Sequence, residues 1–171
     1  EPVEKVLTVL SALTGAEGRF DYTISETNII GIVDYAHTPD ALENVLETIA
    51  KLKKGGEQVI TVVGCGGDRD KTKRPLMGKA LTAADFPIFT SDNPRSEDPA
   101  VILNEMVAGL SHSGEVIADR QKAIEKAVSI AKPGDVIAVL GKGHESGQEI
   151  AGTKHPFDDR KVLAQAIASH K

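Results

Sequence analysis

Apolar residues along this chain recur with two alternating periods. Val3, Val6, Leu7, Leu10 and Leu13 have the spacing of one helical face, which Gly15 and Gly18 end. Residues 20–25 alternate weakly, as an edge strand does. Ile29-Ile30-Gly31-Ile32-Val33 is apolar on both faces, the mark of a strand buried on both sides. Thr38-Pro39 then supplies an N-cap and a proline at the first helical position. Leu42, Val45, Leu46 and Ile49 follow at helical spacing, and the helix is expected to run to Gly55-Gly56. The alternation continues with a strand over 59–63, a polar loop over 64–74, a helix over 75–84 and a strand over 87–90. Asp98 caps a helix through Leu110, and a short strand covers 116–118. Asp119 caps a helix with Ala123, Ile124, Ala127, Val128 and Ala131 on one face. Pro133-Gly134-Asp135 turns the chain into a strand over 136–140. A hairpin around Gly152 and a helix capped by Asp158 complete it.

Strands alternating with helices through short connections predict an α/β fold, three-layered and Rossmann-like, with a mostly parallel sheet covered by helices on both faces. Residues 15–171 read as one domain, and residues 1–14 as a helical lead-in from a preceding domain. At 171 residues, 40% hydrophobic and 26% charged, the chain has the composition of a globular domain. The sole cysteine, Cys65, excludes an internal disulfide, and no Cys/His cluster has zinc spacing. The 20 basic and 25 acidic residues argue against blanket binding to nucleic acid or an anionic membrane. No leader is read at the start, and the longest apolar runs are too short to span a bilayer. A soluble, reduced, cytoplasmic protein is expected.

In an open parallel sheet, ligands bind beyond the carboxyl ends of the strands. Four polar segments follow strands here: 34–40 (DYAHTPD), 64–71 (GCGGDRDK), 91–95 (SDNPR) and 141–145 (GKGHE). The glycine pairs fail the dinucleotide fingerprint, since its third glycine position holds Arg69 in one case and Ser146 in the other. No phosphate loop of the G-x-x-x-x-G-K-[S/T] form occurs in the chain. A hydride-transfer enzyme is thereby disfavoured, and a self-contained phosphoryl-transfer enzyme nearly excluded. Taken singly, each segment also fits a plain turn: glycines for positive φ, Asn93-Pro94 as a turn pair, Asp68 to Arg74 as a solvated loop. Cys65 reads as a small apolar filler.

Taken together, the strings VDYAHTPDALENVL, VVGCGGDRDKTKRPLMGKA, SDNPRSEDP, GKGHESGQEI and FDDR resemble the Mur ligase family, at the carboxy-terminal domain of its tripeptide-forming members. The resemblance covers residues 15–171. It implies the last domain of an ATP-dependent, amide-forming ligase that adds meso-diaminopimelate to UDP-N-acetylmuramoyl-L-alanyl-D-glutamate, through an acyl phosphate, in peptidoglycan synthesis. In such ligases a central domain carries the phosphate loop and the magnesium ligands. ATP with Mg2+ is therefore an implied requirement met partly outside this chain, which alone is expected to be inactive. The implied partners are the small-molecule substrates and the rest of the ligase.

Residue by residue, Arg95 matches the group that grips the distal carboxylate of meso-diaminopimelate, and a guanidinium fork suits that planar anion. Glu145 matches the group that holds the distal ammonium, Gly141 a backbone contact beside it, and Arg69 a second carboxylate-binding arginine. Asn93 hydrogen-bonds the same end, and Asp92 and Pro94 complete the binding segment. Lysine lacks the second carboxylate and would leave Arg95 without its partner. On the nucleotide side, Asp34 matches an acceptor of ribose hydroxyls, His37 shares its loop, and Arg19 matches an arginine that neutralises phosphate charge. No catalytic or metal-binding residue is expected within the domain. Gly147 departs from relatives, which commonly carry an aromatic residue there. A free-standing amino-acid-binding module and another Mur-type or murein-peptide ligase domain are the competing readings.

Overall fold

A computed structural model describes residues 20–170; the expected opening helix and Arg19 lie outside the described residues. The strands are β1 (Asp21–Ile24), β2 (Ile30–Asp34), β3 (Val59–Val63), β4 (Phe86–Phe89), β5 (Glu115–Val116), β6 (Val136–Leu140), β7 (Gly147–Ile150) and β8 (Thr153–Pro156). The helices are α1 (Pro39–Ala50), α2 (Lys73–Ala80), α3 (Pro99–Val107), α4 (Arg120–Ile130) and α5 (Asp159–Ser169), with a 3-10 turn at Leu81–Ala83.

The two-sided apolar runs form the middle of a six-stranded sheet ordered β1-β2-β6-β3-β4-β5. All its pairings are parallel except β1, which runs antiparallel to β2 at the edge. Every residue of β2, β3 and β6 is buried. Alternation sends Ile30, Ile32, Val59, Val63, Ala138 and Leu140 into one core layer with Leu42, Leu46, Met77, Ile102 and Met106 from α1, α2 and α3. Ile60, Val62, Ile137 and Val139 face the opposite way, onto Ala123, Ile124, Leu163 and Ile167 from α4 and α5. Each fully buried Val, Leu, Ile or Met among them contributes about 1.5–3 kcal/mol.

The register has a direct functional consequence. Asp34 pairs with Leu140, Leu140 with Val63, and Val63 with Phe89, so four parallel strands end in one row. The four polar segments therefore emerge along a single rim.

The capping expectations hold: Thr38 accepts from the Ala41 amide, Asp98 from Ala100, Asp119 from Lys122 and Asp158 from Arg160. Two helices stop before the expected glycine or leucine. After Ala50 the amides of Lys51, Leu52 and Lys53 bond back three residues, and after Val107 those of Gly109 and Leu110 do the same, so tight turns replace the last α-helical turn. Helix α2 begins at Lys73 rather than Pro75, because a proline in the first turn sacrifices no helical bond. Strand β5 is shifted back to Glu115–Val116, although Ile117 and Ala118 still bond Phe89 and Ser91. The hairpin turns at Ala151-Gly152, both at positive φ (48° and 78°), which suits the twist of a two-residue connection.

Arg120 and Asp159 form a fully buried ion pair, with Nε donating to Oδ1 at 2.8 Å and Nη2 to Oδ2 at 2.7 Å. Burial works against the arginine's charge, yet Asp159, together with Asp92 and Glu145, outweighs it and the guanidinium titrates above its ordinary range. Removing one partner of such a pair strands the other charge, so Asp159→Ala is expected to lose about 3–5 kcal/mol in urea denaturation. The double variant Arg120→Met/Asp159→Leu should lie nearer the wild type. A single-variant loss below about 1 kcal/mol would mean that the pair is dispensable.

Candidate functional site

Beyond the common strand ends lies a cleft of ≈ 310 Å³, lined among others by Tyr35, Cys65, Arg69, Asp92, Asn93, Arg95, Gly141 and Glu145. It draws on all four segments, so the rim expected from sequence forms one site. Its floor requires glycine at two places. Gly141 sits at φ +116°, and a Cβ there would stand 2.9 Å from an Asp92 carboxylate oxygen. A Cβ on Gly64 would collide with the Thr90 carbonyl and the Asp92 amide.

Arg95 and Glu145 line the same cleft, as does Asn93. Asn93 Nδ2 donates to Glu145 Oε2 at 3.3 Å, while its Oδ1 accepts from Lys142 Nζ at 3.0 Å and from the Glu149 amide at 2.9 Å. Lys142 is fully buried and its ammonium also lies 3.3 Å from Glu145 and 3.5 Å from Asp92. Burial pushes the Asp92 carboxyl above the usual aspartate range, against the pull of Arg120 and Lys142. Arg95 adopts φ 54°, an uncommon conformation for a side-chain-bearing residue. Two bonds to the hairpin hold it there, Arg95 N–H to Glu149 O and Ala151 N–H to Arg95 O. Its guanidinium donates to Gly67 O at 2.8 Å and lies 3.6 Å from the Glu149 carboxylate.

The 64–72 and 91–98 segments are laced together. Ser96 Oγ donates to Asp68 Oδ1 at 2.6 Å, Gly67 N–H donates to Asn93 O, and the Asp68 amide donates to Glu97 at 2.7 Å. Behind them Arg74, only 1% exposed, binds Glu97 through both terminal nitrogens and Glu105 through one. The expectation of a solvated tail from Asp68 to Arg74 thus fails at its last residue, whose guanidinium ties the loop to α3. Arg69 is exposed at the mouth of the cleft. Pro94 is buried behind the wall, its carbonyl packed against Gly67.

A second hollow of ≈ 400 Å³ adjoins the cleft, lined by Phe20, Asp34, His37, Thr38, Asn44 and Thr48 among others. Asp34 accepts from the Phe20 and Ala36 amides at 2.9 and 2.8 Å, one on each carboxylate oxygen. A carboxylate oxygen has a second lone pair, so acceptor capacity remains. His37 Nδ1 pairs with the Tyr35 carbonyl at 2.8 Å, and Tyr35 and His37 line both hollows. Among the described residues no group of three His, Cys, Asp or Glu side chains could hold a metal ion, and no helix is long and apolar enough to cross a membrane.

The chain matches the family described as Mur ligase, glutamate ligase domain, over residues 18–143. It belongs to the Mur ligase family. A UDP-N-acetylmuramoyl-L-alanyl-D-glutamate--2,6-diaminopimelate ligase of Bacteroides thetaiotaomicron is 54% identical over 167 residues, which cover 95% of this chain and 35% of that protein. One of the same name from Cytophaga hutchinsonii is 51% identical over 98% of this chain and 35% of its own length. A solved structure of a ligase of that name superposes with a TM-score of 0.82 at 45% identity, over 91% of this chain and 32% of that one. This Mur ligase chain therefore spans about a third of the length of those relatives.

Sequence reasoning missed Lys142, Arg74, and the Arg120–Asp159 pair. Lys142 sits between two glycines directly after a buried strand, a position where a lysine has no room to be solvated. Arg120 and Asp159 follow the capping residues Asp119 and Asp158, so an adjacent pair of charged residues at each cap was the available signal.

Burial, and then the Asp92 charge, push the Cys65 thiol up to about 12, and its sulfur lies 3.3 Å from that of Met77. Iodoacetamide at pH 8 should leave Cys65 unmodified in the folded chain and alkylate it fully in denaturant; fast native-state labelling would contradict this packing. Glu97, hydrogen-bonded by Arg74, is held down to about 2. A depressed carboxyl contributes its stability above the unfolded value of 4.5 and loses it as pH falls through about 2. The amides of Asp68 and Ser96 should therefore keep native NMR shifts at pH 4 and lose them only on further acidification.

Proposed function

We propose that this chain is the amino-acid- and ATP-binding domain of a cytoplasmic ligase that joins meso-diaminopimelate to UDP-N-acetylmuramoyl-L-alanyl-D-glutamate in peptidoglycan synthesis. The observation that carries this reading is the presence of Arg95 and Glu145, opposite in charge, on one cleft, with Asn93 bonded to Glu145. A molecule with a carboxylate and an ammonium on the same carbon matches that pair: the carboxylate goes to the Arg95 fork and the ammonium to Glu145. Arg69 at the mouth and Asp92 on the floor complete the charged lining, and Gly141 leaves the backbone accessible.

The hollow around Asp34, His37 and Thr38 offers acceptors and a ring suited to a nucleoside, and it opens beside the amino-acid cleft. ATP supplies the phosphoryl group that activates the acceptor carboxylate. The residues of this chain orient the incoming amino acid so that its free amine faces that carboxylate, a positioning role rather than a proton-transfer one. Phosphate-loop and magnesium ligands are assigned to the remainder of a longer ligase, and the chain alone is expected not to ligate.

Calorimetric titration of the chain tests the assignment. meso-Diaminopimelate should bind about ten- to a hundredfold more tightly than L-lysine, equivalent to about 1.4–2.8 kcal/mol. Arg95→Gln should reduce it to the lysine level. Equal affinity of the wild-type chain for the two amino acids would sink the reading.

A further inference from the structure

Lys142 lies under the cleft floor, fully buried, where three polar groups converge on its ammonium: Asn93 Oδ1 at 3.0 Å, Glu145 Oε2 at 3.3 Å and Asp92 Oδ1 at 3.5 Å. We propose that Lys142 is the positioning residue that makes Asn93 and Glu145 a half-site for a single ammonium group. The inference rests on the diaminopimelate reading and assigns that half-site's selectivity to a residue that need not touch the ligand.

Three consequences of the geometry support it. First, two donors, Lys142 Nζ and the Glu149 amide, meet one end of the Asn93 carboxamide, which must therefore be its oxygen. The NH2 end is thereby turned toward Glu145. Secondly, Asn93 and Lys142 both bond Glu145 Oε2, which leaves Oε1 without a hydrogen bond among the described residues and available to an incoming donor. A glutamate fixed at one oxygen binds a ligand at the other with less rotamer freedom to lose. Thirdly, the Lys142 ammonium lies between two carboxylates, 3.5 Å from Asp92 and 3.3 Å from Glu145, so the group that fixes Glu145 is itself pinned to the floor.

The test compares meso-diaminopimelate with L-2-aminopimelate, which has both carboxylates and lacks the distal ammonium. Calorimetry on the wild-type chain should show meso-diaminopimelate bound at least about tenfold more tightly. In Lys142→Met its affinity should fall to that of L-2-aminopimelate, whose own affinity stays within about twofold; general damage to the cleft would weaken both alike. Should the single variant not fold with Asp92 unpaired, Asp92→Asn/Lys142→Met removes both charges, and the ratio of the two affinities is again the readout. A ratio in either folded variant that matches the wild type overturns the role of Lys142 alone. A wild-type chain with no preference between the two ligands overturns the diaminopimelate reading and this inference with it.

Discussion

The cleft depends on one buried ion pair that lies outside it. Arg120, at the start of α4, binds Asp159 at the start of α5, and its remaining donors reach the carbonyls of Ser91 at 3.2 Å and Leu140 at 3.4 Å. Ser91 immediately precedes the segment bearing Asp92, Asn93 and Arg95, and Leu140 immediately precedes the one bearing Lys142 and Glu145. A single guanidinium thus fixes the two halves of the charged cleft to each other and to two helices on the opposite face. Arginine suits this place because its planar fork serves four acceptors at once and remains charged when buried. Strand register brings the segments to the same rim, and Arg120 holds their backbones there.

On the other side of the cleft the constraint is distributed. The glycine-rich segment after β3 has no helix or strand of its own and is shaped by the segment after β4. Asp68, at φ 52°, and Ser96 bond each other, while Arg74 anchors Glu97 from behind. Arg95 is held at an equally unfavourable φ by the β7–β8 hairpin, which pairs with it instead of extending the main sheet. Such conformations cost on the order of 1–3 kcal/mol each and persist where their surroundings over-determine them. Here that surrounding network is built from the same side chains and backbone groups that line the cleft, so its loop architecture and its chemistry cannot vary independently.

The sheet was legible in the sequence because its central strands are short runs rich in Val and Ile and bounded by turn residues. Strands β3 and β6 fall at the expected residues, and all four expected caps form. Helix ends were less legible, since α1 tightens several residues ahead of Gly55 and α3 tightens through Gly109, ahead of Leu110. Side chains of the cleft could be nominated from the motifs, but their relations could not. The cap at Asp158 was legible, but nothing local in Asp158-Asp159-Arg160 tells that Asp159 is buried against an arginine 39 positions away. Lys142 drew no reading of its own within the 141–145 segment, yet burial and three partners make it part of the floor. Charged residues whose partners are distant in sequence leave no periodic trace, and in this fold they are the residues that organise the rim.

The same network limits how strongly the cleft can discriminate. Arg95 already donates to Gly67 O and has Glu149 at 3.6 Å, and its side chain is 21% exposed. An amino acid that lacks the second carboxylate would leave this guanidinium with those partners and with partial access to water, not stranded. The penalty for the wrong ligand is then the difference between a good bidentate carboxylate and a looser ion pair. A fully buried orphan charge would instead cost about 3–5 kcal/mol. Glu149 belongs to β7, the strand whose carbonyl also fixes the Arg95 backbone, so a ligand carboxylate that draws the guanidinium away from Glu149 leaves the backbone clamp intact. The cleft can exchange one anionic partner for another at Arg95 without reorganising the loop, and a pre-organised cation of that kind favours specific binding at modest energetic cost.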